Sequence, residues 1–568
     1  VFHSSLISNV NTLWGATIAE TLARLGLQYA VISPGSGSSA LALGFYGHPK
    51  LKSTVILDER VAAFYALGLV KASDKPVALV CTSGTACAHY YPAVIEAKMS
   101  GMPLILLSAD RAPQDQACQA EQVIDQYKIY QSMPVWQQQL SLPQINLSLF
   151  QSLRDQIVQA YRYAACAQAG PVHLNVPFEY PPLGSTPPFL DQSFKDLLKI
   201  VNQPSFFASV EVPIPVASYL TDEAAQRLWS TLSGCKRGLI TVGYPMGLGR
   251  QQYVQEVALL SRYLGWPILA DAIATSVRGQ ATCMPGLVDH YADLVQHPTV
   301  LDRLKPEMVL QIGRLPTNKK LRDWLASLNV PTYLIDPRLE AKDPLFRSQK
   351  HYLTTPSALI QQLKVEPVEL TDYALDWVHQ ASQFNQSIDD QLTESTVPQL
   401  LSQYLPKGTP LVVSNSRPIR HFEAHFAVGD HQLDVYANRG ANGIDGLIAT
   451  AMGVATVTQK PTVLVIGDLA FLHDHAALLL HQNGFKGSLT IVCLDNGGGG
   501  IFRDVPSLQG LAQHEWFDQL WLTPQTADIP SLAQAYRMPV HKPTHTNDFI
   551  AYLEKLPQTG TQLIYLQL

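Results

Sequence analysis

Long apolar runs are missing from this chain: none of its 568 residues falls in a stretch approaching the ~20 uninterrupted apolar residues that span a bilayer. The opening "VFHSSLISNVNTLWG" also lacks a basic region followed by an apolar run, so a soluble, cytoplasmic protein with no membrane partner is expected. An excess of positive charge is missing too. The formal net charge is -6, which gives nucleic acid or an anionic membrane no electrostatic footing. Cysteine is sparse and scattered, at Cys81, Cys87, Cys118, Cys166, Cys235, Cys283 and Cys493. With no C-x-x-C and no histidine at zinc-finger spacing, these read as buried reduced thiols. Charged residues are only 15% against 46% hydrophobic, a core-rich balance that excludes a disordered chain. The length suggests roughly three or four domains.

What is present is an alternation. Short β-rich apolar runs ("QYAVIS", "VALVCTS", "PLILLSA", "RGLITVG", "MVLQIG", "TYLID", "TPLVVSN", "TVLVIGD", "LTIVCLD") are separated by helix-length amphipathic segments. Continuous apolar strands between helices predict parallel sheets covered on both faces, hence doubly wound α/β domains. Two breaks interrupt the rhythm: the proline-rich "YPPLGSTPPFL" from Tyr180 to Leu190, and a polar, strand-poor region near Val365 to Pro398. They predict three domains, over residues 1–185, 200–365 and 390–568. The middle one, with "LITVGYPMGLGR", is Rossmann-like, but its glycines do not make G-x-G-x-x-G and no nucleotide is expected there.

Two stretches carry chemistry. At Ser33 to Ala40, "SPGSGSSA" reads as a strand running into a Gly/Ser turn and a helix, a turn that presents N–H groups and hydroxyls to an anion. Farther on, a buried strand ends in Gly467-Asp468, a helix follows, and a second buried strand ends in Asp495-Asn496 before four glycines. Both ends lie at the carboxyl edge of one parallel sheet, where such folds bind ligands. Asp468 offers an anionic oxygen, Asn496 a neutral one, and the glycine turn a backbone carbonyl, a set that suits Mg²⁺ carrying a diphosphate. Asp after a strand is often only a helix cap, and Asp-Asn-Gly a common turn. The pair is more specific, with 27 residues between its members and a helix between two buried strands.

This spacing resembles the Gly-Asp…Asn motif that defines the pyrophosphate domain of thiamine diphosphate (ThDP) enzymes. "PGSGS" at Pro34 to Ser38, "LDER" at Leu57 to Arg60, "TSGTA", "YPAVIEA", "ADRAP", "NRGANGIDG" at Asn438 to Gly446, "GDL" and "NGGGGIF" are all similar to one subfamily, the SEPHCHC synthases (the MenD family) of menaquinone and phylloquinone biosynthesis. The resemblance is collinear from about residue 10 to the end. It implies a pyrimidine-binding, a central and a pyrophosphate-binding domain, and a homodimer or homotetramer whose site draws on two subunits. The reaction it implies is ThDP- and metal-dependent decarboxylation of 2-oxoglutarate, with Stetter-like 1,4-addition of the succinyl carbanion to isochorismate.

The same resemblance implies roles. Glu59 is the carboxylate that hydrogen-bonds the cofactor's pyrimidine ring, although an acid in a helix's first turn often serves only the dipole. Ser416, Ile444, Gly467, Asp468, Leu469, Asn496, Gly498 and Ile501 contact the cofactor, Ile444 as an apolar wedge, and Asp468, Asn496 and Gly498 hold the metal. Arg420 and Arg439 lie near the donor or its adduct with ThDP, while Ser36, Arg111, Gln122, Lys319 and Lys320 face the acceptor, with Phe502 lining the pocket. His89, His473 and His475 have no metal-site spacing and are expected to be structural. Three positions depart from the family: Gly37 replaces an arginine, Lys320 an arginine and Glu121 an asparagine, all on the substrate side. Arg417 in "NSRPIR" is an additional cation and a candidate compensation. Two further readings follow: a related carboligase or 2-oxo-acid decarboxylase with a different acceptor, and a non-catalytic homologue.

Overall fold

The computed structural model describes residues 6–568 except 119, 167, 184–190, 214–218, 341–342, 385–387 and 389, so most of the proline-rich break lies outside the described residues. Three parallel sheets are present. The first comprises β1 (Tyr29–Ile32), β2 (Lys52–Val55), β3 (Val77–Cys81), β4 (Leu104–Arg111), β5 (Trp136–Gln139) and β6 (Val172–Phe178), in the order β2-β1-β3-β4-β6-β5. The second comprises β7 (Gly238–Val242), β8 (Ile268–Ala270), β9 (Met308–Ile312), β10 (Thr332–Ile335) and β11 (Ser348–Tyr352), in the order β11-β10-β9-β7-β8. The third comprises β12 (Pro410–Val413), β13 (Asp434–Tyr436), β14 (Pro461–Gly467), β15 (Ser488–Asp495), β16 (Val540–His541) and β17 (Gly560–Gln567), in the order β13-β12-β14-β15-β17-β16. The expected doubly wound α/β architecture is therefore observed, and every apolar run named above is a strand. Central strands such as β3 and β7 are buried along their whole length, because helices cover both faces of a parallel sheet.

One strand breaks the apolar pattern. The segment before Glu59 is β2, whose residues "KSTV" are exposed or half-buried. It is an edge strand with only one neighbour, so burial does not demand an apolar run there. The cysteines differ from expectation. All are free, and Cys81, Cys87 and Cys493 are buried as expected, but Cys118, Cys166 and Cys283 are exposed.

By compactness the chain forms two units: Val1–Pro215 with Gly440–Val457, and Val216–Arg439 with Thr458–Leu568. In the first, the helix Glu59–Ser73 starts behind an Asp58 cap that accepts from the Val61 amide at 3.1 Å. Its Gly68 is required by a close crossing: a Cβ there would lie 2.1 Å from the Thr450 carbonyl oxygen. A Cβ on Gly453 would in turn lie 2.2 Å from the Tyr65 carbonyl oxygen. Two helices thus meet backbone to backbone, with Tyr65 Oη donating to Thr456 Oγ1 at 2.9 Å. The crossing fixes the loop that carries Ile444 against the helix that Glu59 opens. Glu96, buried, secures the other end of that loop by accepting from the Gly440 and Ala441 amides at 2.8 and 2.6 Å. Among the described residues no helix is long and apolar enough to cross a membrane.

Candidate active site

In the second unit, β14 delivers Gly467 and then Asp468, the first residue of the helix Asp468–Asp474. Asp468 is 7% exposed. Burial, and after it the charge of Asp495, pushes its carboxyl up to about 7, against the pull of the Leu469 and Gly498 backbone N–H groups. Asp495 itself is occupied: it accepts from the Gly497 amide at 3.0 Å and from Tyr565 Oη. Beside it, Asn496 donates Nδ2 to Glu394 Oε1 at 2.9 Å, while its Oδ1 is buried with no partner among the described residues. Gly498 has φ of +125°, and a Cβ there would lie 2.2 Å from the Leu522 carbonyl oxygen, so only glycine fits.

These features fit a hard divalent cation. An orphaned buried amide oxygen and a carboxyl that burial drives toward neutrality both gain from a positive charge, and both are oxygen donors. Among the described residues no group of three His, Cys, Asp or Glu side chains could hold a metal. The oxygens this edge offers a cation are the Asp468 carboxylate, the Asn496 amide and the backbone carbonyls of the glycine turn.

A field of guanidinium groups belongs to the same unit. Ser416, with φ of +71°, caps the helix Arg417–His425 in a conformation rare for a side-chain-bearing residue, and such strain concentrates at working sites. Its carbonyl accepts from Arg420 Nη1 at 2.5 Å. Arg439 donates Nη1 to Asn415 Oδ1 at 2.8 Å, and the Arg439 carbonyl accepts from Arg314 Nη1 at 2.5 Å. Arg322 is braced on the Pro316 and Leu315 carbonyl oxygens at 2.6 and 3.1 Å. Burial, joined by the charges of Arg420, Arg322 and Arg314, lowers the pKa of Arg439 although Asp271 opposes the shift. Burial and Arg322 do the same to Arg420. Lys319 and Lys320 are exposed in the first turn of the helix Lys319–Ser327, where the dipole favours acids rather than cations. Ile501 and Phe502 follow the glycine turn, Phe502 being exposed.

The first unit presents its own carboxyl edge. "SPGSGSSA" leaves β1 as a turn into the helix Ser39–Tyr46, and it lies against Thr82 at the end of β3. A Cβ on Gly37 would sit 2.8 Å from Thr82 Oγ1, and one on Gly35 would sit 2.4 Å from Thr82 Cβ. Glu59 is half-buried at the first residue of its helix. Arg111 ends β4 with its guanidinium 4.3 Å over the Tyr180 ring. Gln122, exposed at φ of +62°, donates Nε2 to the Ser83 carbonyl at 3.1 Å. The unit therefore brings together Ser36, Gly37, Arg111 and Gln122 along one sheet edge. Behind it, Gln126 receives the Gly84 amide at 3.3 Å and donates to Asn175 at 2.7 Å, and Asn175 donates to Asp110 at 2.8 Å.

Sequence reading misses Glu394, Gln126, Arg314 and Arg322 as supports of these edges. Thr82 belongs to the "TSGTA" turn read from the sequence, and its place against the Gly37 turn follows from β1 and β3 being neighbours across a change of direction in the strand order. Arg417 is not a free cation. Its Nε lies 2.8 Å from Glu394 Oε2 and its Nη1 lies 2.9 Å from Asp504 Oδ2. His475 Nδ1 is taken by the Leu472 carbonyl, as a structural histidine should be.

Comparison with known proteins gives the family. Residues 14–129 match the thiamine pyrophosphate enzyme N-terminal TPP binding domain, 216–413 the middle domain of thiamine pyrophosphate enzymes, and 426–565 the C-terminal TPP binding domain. The 2-succinyl-5-enolpyruvyl-6-hydroxy-3-cyclohexene-1-carboxylate synthase of Synechococcus elongatus is 40% identical, covering 98% of this chain and 93% of that protein. The synthase of the same name from Microcystis aeruginosa is 39% identical over 98% and 96%. The crystal structure of benzoylformate decarboxylase from Polynucleobacter necessarius superposes with a TM-score of 0.73 over 97% of this chain and 98% of that one, at 16% identity, a likeness of fold. With three thiamine pyrophosphate domains in order and such relatives along its whole length, the chain belongs to the 2-succinyl-5-enolpyruvyl-6-hydroxy-3-cyclohexene-1-carboxylate (SEPHCHC) synthase family of ThDP-dependent enzymes.

Proposed function

We propose that this chain decarboxylates 2-oxoglutarate and adds the remaining succinyl unit 1,4 to isochorismate, giving SEPHCHC, with ThDP and Mg²⁺ (or Mn²⁺) as cofactors. The observation that carries the substrate class is the guanidinium set of Arg314, Arg322, Arg420 and Arg439, braced on the Arg439, Pro316, Leu315 and Ser416 carbonyl oxygens and on Asn415 Oδ1. Both substrates are carboxylates, for which guanidinium forks are the matching donors. Bound ThDP supplies the electron sink that lets a 2-oxo acid lose CO₂ and its remainder act as a nucleophile.

The chain's residues position and move protons around that centre. Asp468, Asn496 Oδ1 and the Gly498 carbonyl hold the cation, and Gly467 and Leu469 frame the diphosphate. Glu59 carries the proton at the pyrimidine ring, and Ser416, Ile444 and Ile501 support the cofactor. Arg420 and Arg439 take the donor's carboxylates. Ser36, Arg111, Gln122, Lys319 and Lys320 take the acceptor's, and Phe502 walls the pocket. Assembly as a homodimer or homotetramer is part of this reading, since ThDP enzymes of this architecture build each site from two chains.

One observation favours a second reading. The place of the family's turn arginine is held by Gly37, whose Cβ direction is closed by Thr82. An acceptor other than isochorismate would then be joined by the same donor chemistry. Purified chain with ThDP, Mg²⁺ and 2-oxoglutarate, with and without isochorismate, separates the two. The first reading expects isochorismate consumption matched by CO₂ release. CO₂ release with isochorismate untouched overturns it in favour of the second, and neither event overturns both.

A further inference from the structure

Arg417, the cation beyond the family set, is directed toward carboxylates rather than open space. It pairs with Glu394 at 2.8 Å and Asp504 at 2.9 Å, and its Nη1 also reaches the Gly500 carbonyl at 3.4 Å. Glu394, with a side chain only 11% exposed, uses its other oxygen to accept Asn496 Nδ2 at 2.9 Å. An amide held this way has no choice of orientation. Reversed, it would set its oxygen against a carboxylate, so Oδ1 must face the other way. That Oδ1 is the buried oxygen without a partner among the described residues. A cavity of about 460 Å³ opens beside the group, bounded by Glu394, Arg417, Asn496, Gly500, Arg503 and Leu522.

We propose that Glu394 and Arg417 are a positioning pair: Glu394 sets the Asn496 amide with its oxygen toward the cation, and Arg417 ties Glu394 to the glycine turn that carries Gly498. The inference rests on the reading of Asp468, Asn496 and Gly498 as the cation's donors. Loss of an outer partner of this kind costs about 10- to 100-fold in metal affinity.

The test is direct Mn²⁺ binding to the full-length protein with saturating ThDP, followed by the electron paramagnetic resonance signal of free Mn²⁺. Glu394→Ala is expected to weaken Mn²⁺ about 10- to 100-fold. Glu394→Gln keeps an oxygen acceptor for Nδ2 and is expected to recover most of that loss. Arg417→Met leaves the hydrogen bond but removes its anchor, with roughly a three- to tenfold loss expected. Binding by Glu394→Ala within about threefold of wild type, or an equal loss in Glu394→Gln, overturns the role of Glu394. Unchanged binding in Arg417→Met removes Arg417 from the pair.

Should Glu394→Ala fail to fold by circular dichroism, reversed polarity takes its place. Asn496→Asp sets two carboxylates face to face, and adding Glu394→Gln must restore Mn²⁺ binding; no restoration overturns the proposal. The underlying reading fails separately, if Asp468→Ala binds Mn²⁺ as wild type does.

Discussion

The first and third sheets have one topology and two chemistries. Their strand orders, β2-β1-β3-β4-β6-β5 and β13-β12-β14-β15-β17-β16, are the same order shifted along the chain. The third strand of the run is followed by Thr82 in one sheet and by Asp468 in the other. The fourth ends in Arg111 in one and Asp495-Asn496 in the other. A parallel sheet delivers its loops to the carboxyl edge whatever their residues, so the scaffold decides where chemistry sits. The one or two residues beyond each strand decide which chemistry it is. At these two strand ends the first sheet offers hydroxyls and a cation, and the third offers carboxylate and amide oxygens. The proposed division is that the first handles proton transfer and the acceptor, and the second anchors the cofactor.

The division breaks most visibly at Glu59. Glu59→Gln is expected to slow exchange of the ThDP C2 proton by about 10²–10⁴-fold, measured by quenched-flow deuterium exchange, with ThDP still bound. Exchange at the wild-type rate removes the proton-transfer half of the comparison. Asp468→Ala is the converse. It is expected to weaken metal-dependent ThDP binding by roughly 10²-fold or more in calorimetry, because the substitution removes the proposed charged ligand of the cation. Retained affinity would show that the third sheet does not anchor the cofactor.

Gly37 sharpens the comparison on the acceptor side. Because its Cβ direction ends 2.8 Å from Thr82 Oγ1, Gly37→Ala is expected to cost about 1–3 kcal/mol in thermal or urea unfolding, recovered by adding Thr82→Ala. In that relieved background, Gly37→Arg should tighten the isochorismate KM about 10- to 100-fold, the worth of one charge-assisted hydrogen bond, and leave 2-oxoglutarate nearly unchanged. If both KM values stay put, the turn does not touch the acceptor.

A local effect, confined to acid conditions, concerns His173, buried in β6 with Nε2 2.7 Å from Ser108 Oγ. Burial pushes its ring from the ordinary 6.5 down to about 3. A folded pKa below the unfolded one means that the unfolded chain binds the proton first. Stability is therefore full above 6.5 and is lost as pH falls from 6.5 toward 3. Well inside that window the slope from this ring is about 1.4 kcal/mol per pH unit, and His173→Gln should flatten it in urea titrations between pH 6 and 4. An unaltered slope shows that the ring does not govern acid sensitivity.

Legibility in the sequence followed burial. Strands covered on both faces, such as "VALVC" and "SLTIVCLD", must be continuously apolar and were readable as strands. The edge strand "KSTV" has no such constraint, and only its helix cap, Asp58 before Glu59, marks the place. Asp468 and Asn496 were readable as a pair because both end buried strands joined by one helix. Glu394 was not, since it reaches Asn496 from 102 residues away on no periodic element. Arg417 was visible as an extra cation, yet its meaning reversed once Glu394 and Asp504 came into contact with it.

The order of residues alone determined the three parallel-sheet domains, the cofactor family and the residues at each strand end, because local apolar runs and short motifs encode them within a few tens of positions. Tertiary structure alone decided which polar atoms are shared and which are left open: that Thr82 Oγ1 lies where a Gly37 Cβ would point, that Glu394 holds one face of Asn496, and that the other face has no partner among the described residues. The physical reason is that hydrogen-bond satisfaction and steric closure belong to pairs of residues. A pair distant in the chain acquires either property only when the fold brings it together.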